Sequence, residues 1–291
     1  MARLTIDGVS LAYDVIGTGS GRTWALTPGG RIGRDIAGIG ELAAGLAAAG
    51  DTVLTWDKPN SGESDVCFRG ESETAMQADM LVGLIKALGL PPAILCGGSA
   101  GARTSLLAAS RHPDAVAGLG LWWVSGGVYG LINLAMLYGS QSIVAAWNGG
   151  MEAVIELPEW AEVLARNSGN RQRFLDQAPK AFIATMERWM RAYCTHNDDL
   201  FPDPDLTDAK LRALNLPVLI FHNGVSDMNH TRATSDGLAR MLPMVRTMDP
   251  PWLDTEWIDR RAAAEVGFIR WQRLAAPLLE WASSTVLEAA G

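Results

Sequence analysis

The residues best placed to do chemistry lie at the end of an apolar run, Pro92-Ala93-Ile94-Leu95-Cys96-Gly97-Gly98-Ser99-Ala100-Gly101, which continues into the helix-forming Ala102-Arg103-Thr104-Ser105-Leu106-Leu107-Ala108-Ala109. A serine between glycines, with a strand before it and a helix after it, has the pattern of a nucleophile elbow. The glycines answer a steric need: the elbow holds Ser99 at a strained positive φ, and the surrounding backbones come too close for a Cβ at 97 or 101. The same turn brings the Ala100 N–H and a helix N-terminus beside the serine oxygen, where an oxyanion could be held. With 31 glycines in the chain a bare Gly-x-Ser-x-Gly arises by chance, so the flanking strand and helix carry the assignment.

The elements around this turn alternate. Residues 4–16 predict a hairpin about Asp7-Gly8; strands follow at 23–27 and 52–56, separated by a helix over 35–49. Apolar Met76, Met80, Leu81, Leu84, Ile85 and Leu88 recur at helical spacing. After the elbow helix a strand is expected over 115–124. Residues 127–208 contain no clear strand and are rich in Met and Trp, so they predict a helical lid inserted into a core of residues 1–126 and 209–291. The core resumes with a strand at 217–221, a helix over 231–242, a strand at 244–248 and a C-terminal helix from Arg260 kinked at Pro277. Strands that are apolar throughout and alternate with helices predict an α/β fold with a mostly parallel sheet covered on both faces. The chain has 291 residues, 48% hydrophobic, with net charge −8. That balance, with no basic cluster, argues against nucleic acid and anionic membranes as partners. Cys67, Cys96 and Cys194 are far apart, which suggests neither a disulfide framework nor a metal site. No charge falls between Asp114 and Glu152, yet glycines divide this stretch into strand- and helix-sized pieces. With no apolar secretory core at the N-terminus, the expectation is a soluble cytoplasmic protein. A homodimer is compatible with the sequence.

On these residues the chain resembles the α/β-hydrolase fold superfamily over nearly its whole length, which implies an eight-stranded, mostly parallel sheet with an inserted helical lid. Thr27-Pro28-Gly29-Gly30 is similar to that superfamily's oxyanion-hole turn, so the resemblance implies Gly29 or Gly30 as a donor beside Ala100. The stretch from Asp57 to Asp65 (Asp-Lys-Pro-Asn-Ser-Gly-Glu-Ser-Asp) is similar to the one that follows the fourth strand in many members. The doubled glycine before Ser99 resembles the proline iminopeptidase and carbon–carbon hydrolase branches. Asp227 stands where the superfamily keeps its acid. A serine in the elbow argues against the aspartate chemistry of dehalogenases and epoxide hydrolases. No cofactor is implied.

One departure matters: the superfamily's histidine follows the last strand, and residues 249–261 contain none. A serine hydroxyl needs a base, and the base needs an orienting group. Of four histidines, His112 ends a helix, His196 sits in a polar lid loop, and His222 closes a strand. His230 lies three residues after Asp227, in a loop at the carboxyl edge of the sheet where ligands bind in such folds, and is the candidate base. Its acid would be Asp227, Asp254 or Glu256; Asp227 is so near in sequence that Asp254 is kept as the alternative. Trp122, Trp123 and Trp252 predict an apolar pocket, and Arg31 is either a substrate-binding cation or a solvated surface residue. The expected activity is serine hydrolysis of an ester, lactone or carbon–carbon bond in a bulky, apolar small molecule. Two alternatives are a non-hydrolytic, cofactor-less lyase, isomerase or cyclase and a catalytically silent ligand-binding protein.

Overall fold

The computed structural model describes residues 2–17, 19, 21–194, 198–265 and 267–285, so His196 lies outside the described residues. Eight strands form one sheet: β1 (Ala2–Ile6), β2 (Val9–Ile16), β3 (Thr23–Thr27), β4 (Thr52–Trp56), β5 (Ala93–Gly98), β6 (Val116–Trp122), β7 (Val218–Phe221) and β8 (Val245–Met248). Their order is β1-β2-β4-β3-β5-β6-β7-β8. Strand β2 runs antiparallel to both neighbours, and every other pairing is parallel. The hairpin turns through Asp7 and Gly8, both at positive φ, as two-residue hairpin turns require. Strands β3, β5 and β7 are buried along their whole length, the mark of parallel strands covered on both faces.

Helices α1 (Ile39–Ala47), α2 (Glu73–Ala87) and α3 (Ala100–Arg111) cross between the first parallel strands. One apolar layer packs α2 and α3 against β4, β5 and β6 and continues into the helices between β6 and β7; the other packs α1 and the C-terminal helix against the opposite face. Helix α1 begins later than the sequence pattern predicts. Gly38 takes φ +98 with its Cα against the Phe268 carbonyl, and the N–H of Phe268 donates to Ala37 O at 2.7 Å. Residues 34–38 are thereby used as a packed turn.

Between β6 and β7 lie α4 (Val128–Ala135), a π-helical turn over Met136–Ser140, α5 (Gln141–Val154), α6 (Pro158–Arg166), α7 (Gly169–Leu175), α8 (Pro179–Arg191) and the short α9 (Asp208–Arg212). The run Val128–Arg166 includes an apolar window long enough to cross a membrane, of mean hydropathy 1.2 and 33% buried. It is interrupted by the π turn and by Gly150 at φ 70, and its α5 packs on α8. After β7 come α10 (Arg232–Met241) and, beyond β8, α11 (Glu256–Ala262) and α12 (Ala275–Thr285). The single kinked C-terminal helix is corrected to two helices: α11 ends in the turn of Ala264 at φ 49, and Pro277 sits in the first turn of α12, where a missing N–H leaves no bond unmade.

Candidate functional site

Ser99 joins β5 to α3 at φ 57, ψ −120, a conformation that costs a non-glycine residue on the order of 1–3 kcal/mol and persists only where its surroundings impose it. Its N–H donates to Trp123 O at 3.0 Å. A Cβ on Gly97 would meet the Gly101 backbone, and one on Gly101 would meet the Thr27 carbonyl. The spacing of these two glycines is therefore a packing requirement of the turn.

His230 brings Nε2 to 2.9 Å from Ser99 Oγ, and its Nδ1 lies 2.7 Å from Asp227 Oδ2. An ionised carboxylate only accepts, so the proton of the neutral ring resides on Nδ1 and the Nε2 lone pair faces the serine hydroxyl. The second oxygen, Asp227 Oδ1, accepts from the N–H groups of Asn229 at 2.9 Å and His230 at 3.0 Å. The i,i+3 separation thus folds the acid behind the ring in one tight turn. His230 and Asp227 are 1% and 4% exposed, which shields their pairing from water.

The loop carrying them is tied to the end of β6. Asn223, fully buried, donates to Val124 O and Thr231 O and accepts from Val124 N–H. Gly126 bridges to His230 and donates to Asn229 O at 3.2 Å. Trp123 stacks on the imidazole at 6.1 Å between centroids, and Trp257 meets it edge-on at 4.8 Å. The segment after β8 therefore contributes an indole wall where a histidine was sought. Ser125 Oγ stands 3.4 Å from Ser99 Oγ.

Gly29 packs beside Ser99, so that a Cβ at position 29 would stand 3.4 Å from that of the serine, and Gly30 lines the same cavity. Ala100 N–H opens α3, where no intrahelical acceptor exists. The turn is held from beneath by Lys58, fully buried, whose Nζ donates to Pro28 O at 2.8 Å. Pro28 C=O and Gly29 N–H belong to one peptide plane, so this contact orients a candidate oxyanion donor. Burial pulls the Lys58 pKa down to about 8, with Asp57 and Glu73 opposing the fall.

Three side chains expected to meet substrate are corrected. Arg31 is spent inside the protein: it forms a fork with Glu73 at 3.0 and 3.1 Å, donates to Tyr138 O, and lies 4.2 Å from the Trp160 ring. Burial works against its charge, and Glu73 more than restores it, so its pKa stands above the usual arginine value. Trp122 is buried against Trp271, 4.9 Å between ring centroids, and takes no part in the wall of the Ser99 cavity. Trp252 lies behind Trp123 at 5.7 Å, outside the Ser99 cavity. Asp254 is also set apart: it is exposed, and its backbone carbonyl accepts from Ser226 Oγ. Glu256 is buried and engaged by Arg270. His112 and His222 pair with Asp79 and Asp236, away from Ser99.

The cavity over Ser99 is about 280 Å³, walled by Ile32, Trp123, Leu134, Leu137, Trp257 and Phe268, with Asn133, Tyr138, Asn229 and Arg260 as its other polar side chains. Sequence reasoning missed Trp257 and Arg260, although both sit at i,i+3 on one helix. It also missed Asn133, whose amide donates to Asn229 Oδ1 at 3.0 Å.

Residues 36–122 match the family model described as "alpha/beta hydrolase fold". No curated protein sequence matches significantly. Among solved structures, the chain is similar to an enol-lactonase from Burkholderia xenovorans LB400, with TM-score 0.58, 18% identity, and 97% of this chain and 100% of that one covered. A thermophilic esterase from Thermogutta terrifontis aligns with TM-score 0.63 and 20% identity over 98% of this chain and 99% of that one. Proline iminopeptidase from Mycobacterium smegmatis aligns with TM-score 0.57 and 16% identity over 99% of each chain. Likeness at these identities speaks for architecture alone; taken with the strand order and the elbow, the chain has the α/β-hydrolase fold.

Proposed function

We propose that this protein is a serine hydrolase of small esters or lactones. The observation that carries the proposal is the continuous hydrogen-bonded line from Ser99 Oγ through His230 to Asp227, at 2.9 and 2.7 Å. In the forward step Ser99 Oγ attacks the acyl carbon while its proton passes to His230 Nε2. The imidazolium forms against Asp227, and the carbonyl oxygen becomes an oxyanion facing the N–H groups of Ala100 and of Gly29 or Gly30. Collapse expels the alkoxide, which takes the proton from His230. Water then repeats the sequence on the acyl-enzyme, and the carboxylic acid leaves with Ser99 restored.

A cavity near 280 Å³ is at the low end for small-molecule sites, which favours a compact acyl group with apolar flanks over a bulky one. The non-hydrolytic and silent alternatives start from the histidine missing after β8; an imidazole 2.9 Å from Ser99 Oγ supports serine hydrolysis over both. The test is turnover of short-chain 4-nitrophenyl esters and simple γ- and δ-lactones. Hydrolysis that disappears in Ser99→Ala is expected. Hydrolysis surviving Ser99→Ala, or no turnover of either class, would count against the proposal.

A further inference from the structure

The serine chemistry leaves one charged residue of the cavity unused. Arg260, on α11, shares the cavity wall with Ser99 and His230. Its guanidinium lies 5.2 Å from the centroid of Trp123, the ring that stacks on His230, and 5.4 Å from that of Phe268, the ring that flanks Gly29. It therefore stands one aromatic ring away from both the base and the oxyanion turn.

A guanidinium has five N–H donors, and few of them are used here. Nη2 donates to the Gly267 carbonyl. The buried Nε has no acceptor among the described residues. The nearest carboxylate, Glu256, stands 3.9 Å from Nε, beyond hydrogen-bond reach. Glu256 and Glu265 are instead both bound by Arg270, each at 2.9 Å. The other arginines of this half of the molecule differ: Arg31 and Arg34 have their forks filled by Glu73, Asp14, Asp57 and Glu63. Arg103 also has unpaired nitrogens, but it takes no part in the wall of this cavity. Desolvation, with the Arg270 charge beside it, outweighs the two glutamates and lowers the Arg260 pKa, so a cation is kept here at a cost that an incoming anion would offset.

We propose that Arg260 binds a carboxylate carried by the substrate, so that the preferred esters or lactones are anionic. Substrate charge is a property that serine hydrolysis alone leaves open, and the proposal rests on that hydrolysis for its meaning. An arginine in the wall of an apolar, aromatic-walled cavity suits a substrate carboxylate, to which charge-assisted hydrogen bonds are strong.

Two measurements test it. The first is binding, independent of turnover: calorimetric titration of hexanoate and of neutral hexanamide onto the wild-type protein, Arg260→Gln and Arg260→Lys. Hexanoate should bind the wild type about tenfold or more tightly than hexanamide, a preference lost in Arg260→Gln and partly kept in Arg260→Lys. Equal binding of the two ligands by the wild type overturns the proposal, whatever the variants do. The second is the ratio of kcat/KM for monomethyl adipate to that for methyl hexanoate. The wild type should favour the anion, and Arg260→Gln should lower the ratio about tenfold, mainly through KM. An equal fall for both esters would mean that Arg260 does not read charge. If hexanoate binding depends on Arg260 but neither ester is cleaved, the anion site stands and serine hydrolysis is what fails.

Discussion

The pairing of Asp227 with His230 works because three residues separate them. An aspartate that accepts the N–H groups at i+2 and i+3 closes a local turn, and that turn leaves Oδ2 against Nδ1 of the ring. Replacing the carboxylate by an amide keeps the shape and removes the obligatory acceptor, so the ring is free to present the wrong tautomer. Asp227→Asn should lower kcat by about 10³–10⁴ with little change in thermal stability, while Asp254→Ala, on the exposed loop, should stay within about twofold of wild type in steady-state assays. A large loss in Asp254→Ala would move the acid to the next loop. Both carboxylates could be found in the sequence as candidates. Their ranking could not, because it depends on whether a turn of three residues folds back on itself, a matter of backbone dihedrals that residue types leave open.

Loops at the sheet edge are positioned by buried polar anchors rather than by their own propensity. Arg31 is the clearest case. With Glu73 and Asn60 it ties the turn after β3 to α2, and through Tyr138 O and Trp160 it ties both to the helices between β6 and β7. Arg31→Met leaves Glu73 buried at 7% exposure without its strongest partner, which should cost about 3–5 kcal/mol in urea unfolding. Arg31→Met combined with Glu73→Gln should recover part of that loss, since no uncompensated charge remains. If the double variant is no more stable than the single, the pair is not the anchor described here. The strands, the elbow and the alternation with helices were legible in the sequence because apolar runs and glycine spacing are local signals. Arg31's role was not, since its partners lie 42 and more residues away. Residue type alone makes Trp122 and Trp123 equal pocket candidates; Trp123 leaves β6 at φ 46 and reaches the Ser99 cavity, whereas Trp122 ends the strand packed on Trp271.

Lys58, buried beneath the turn after β3, has a consequence for the stability of the whole molecule. Lys58 has a folded-state pKa of about 8 against an ordinary value of 10.5. Between those values the unfolded chain holds a proton that the folded chain has lost, so this residue makes unfolding less favourable as pH rises through the window. Wild type should therefore gain stability relative to Lys58→Met when urea unfolding is compared at pH 8 and pH 10; a difference that stays flat would mean that Lys58 titrates normally. The 127–208 insertion was legible as helical and apolar, whereas the way its π turn and Gly150 break the run is set by packing against α8. The imidazole reaching Ser99 from the loop after β7, rather than from the loop after β8, is the feature on which the chemistry turns. Its test is the rate of covalent capture of Ser99 by a fluorophosphonate, followed by intact-protein and peptide mass spectrometry. A single adduct on Ser99 is predicted for the wild type, forming at least about 100-fold more slowly in His230→Ala. Labelling of His230→Ala at the wild-type rate, or an adduct on any residue but Ser99, would contradict it.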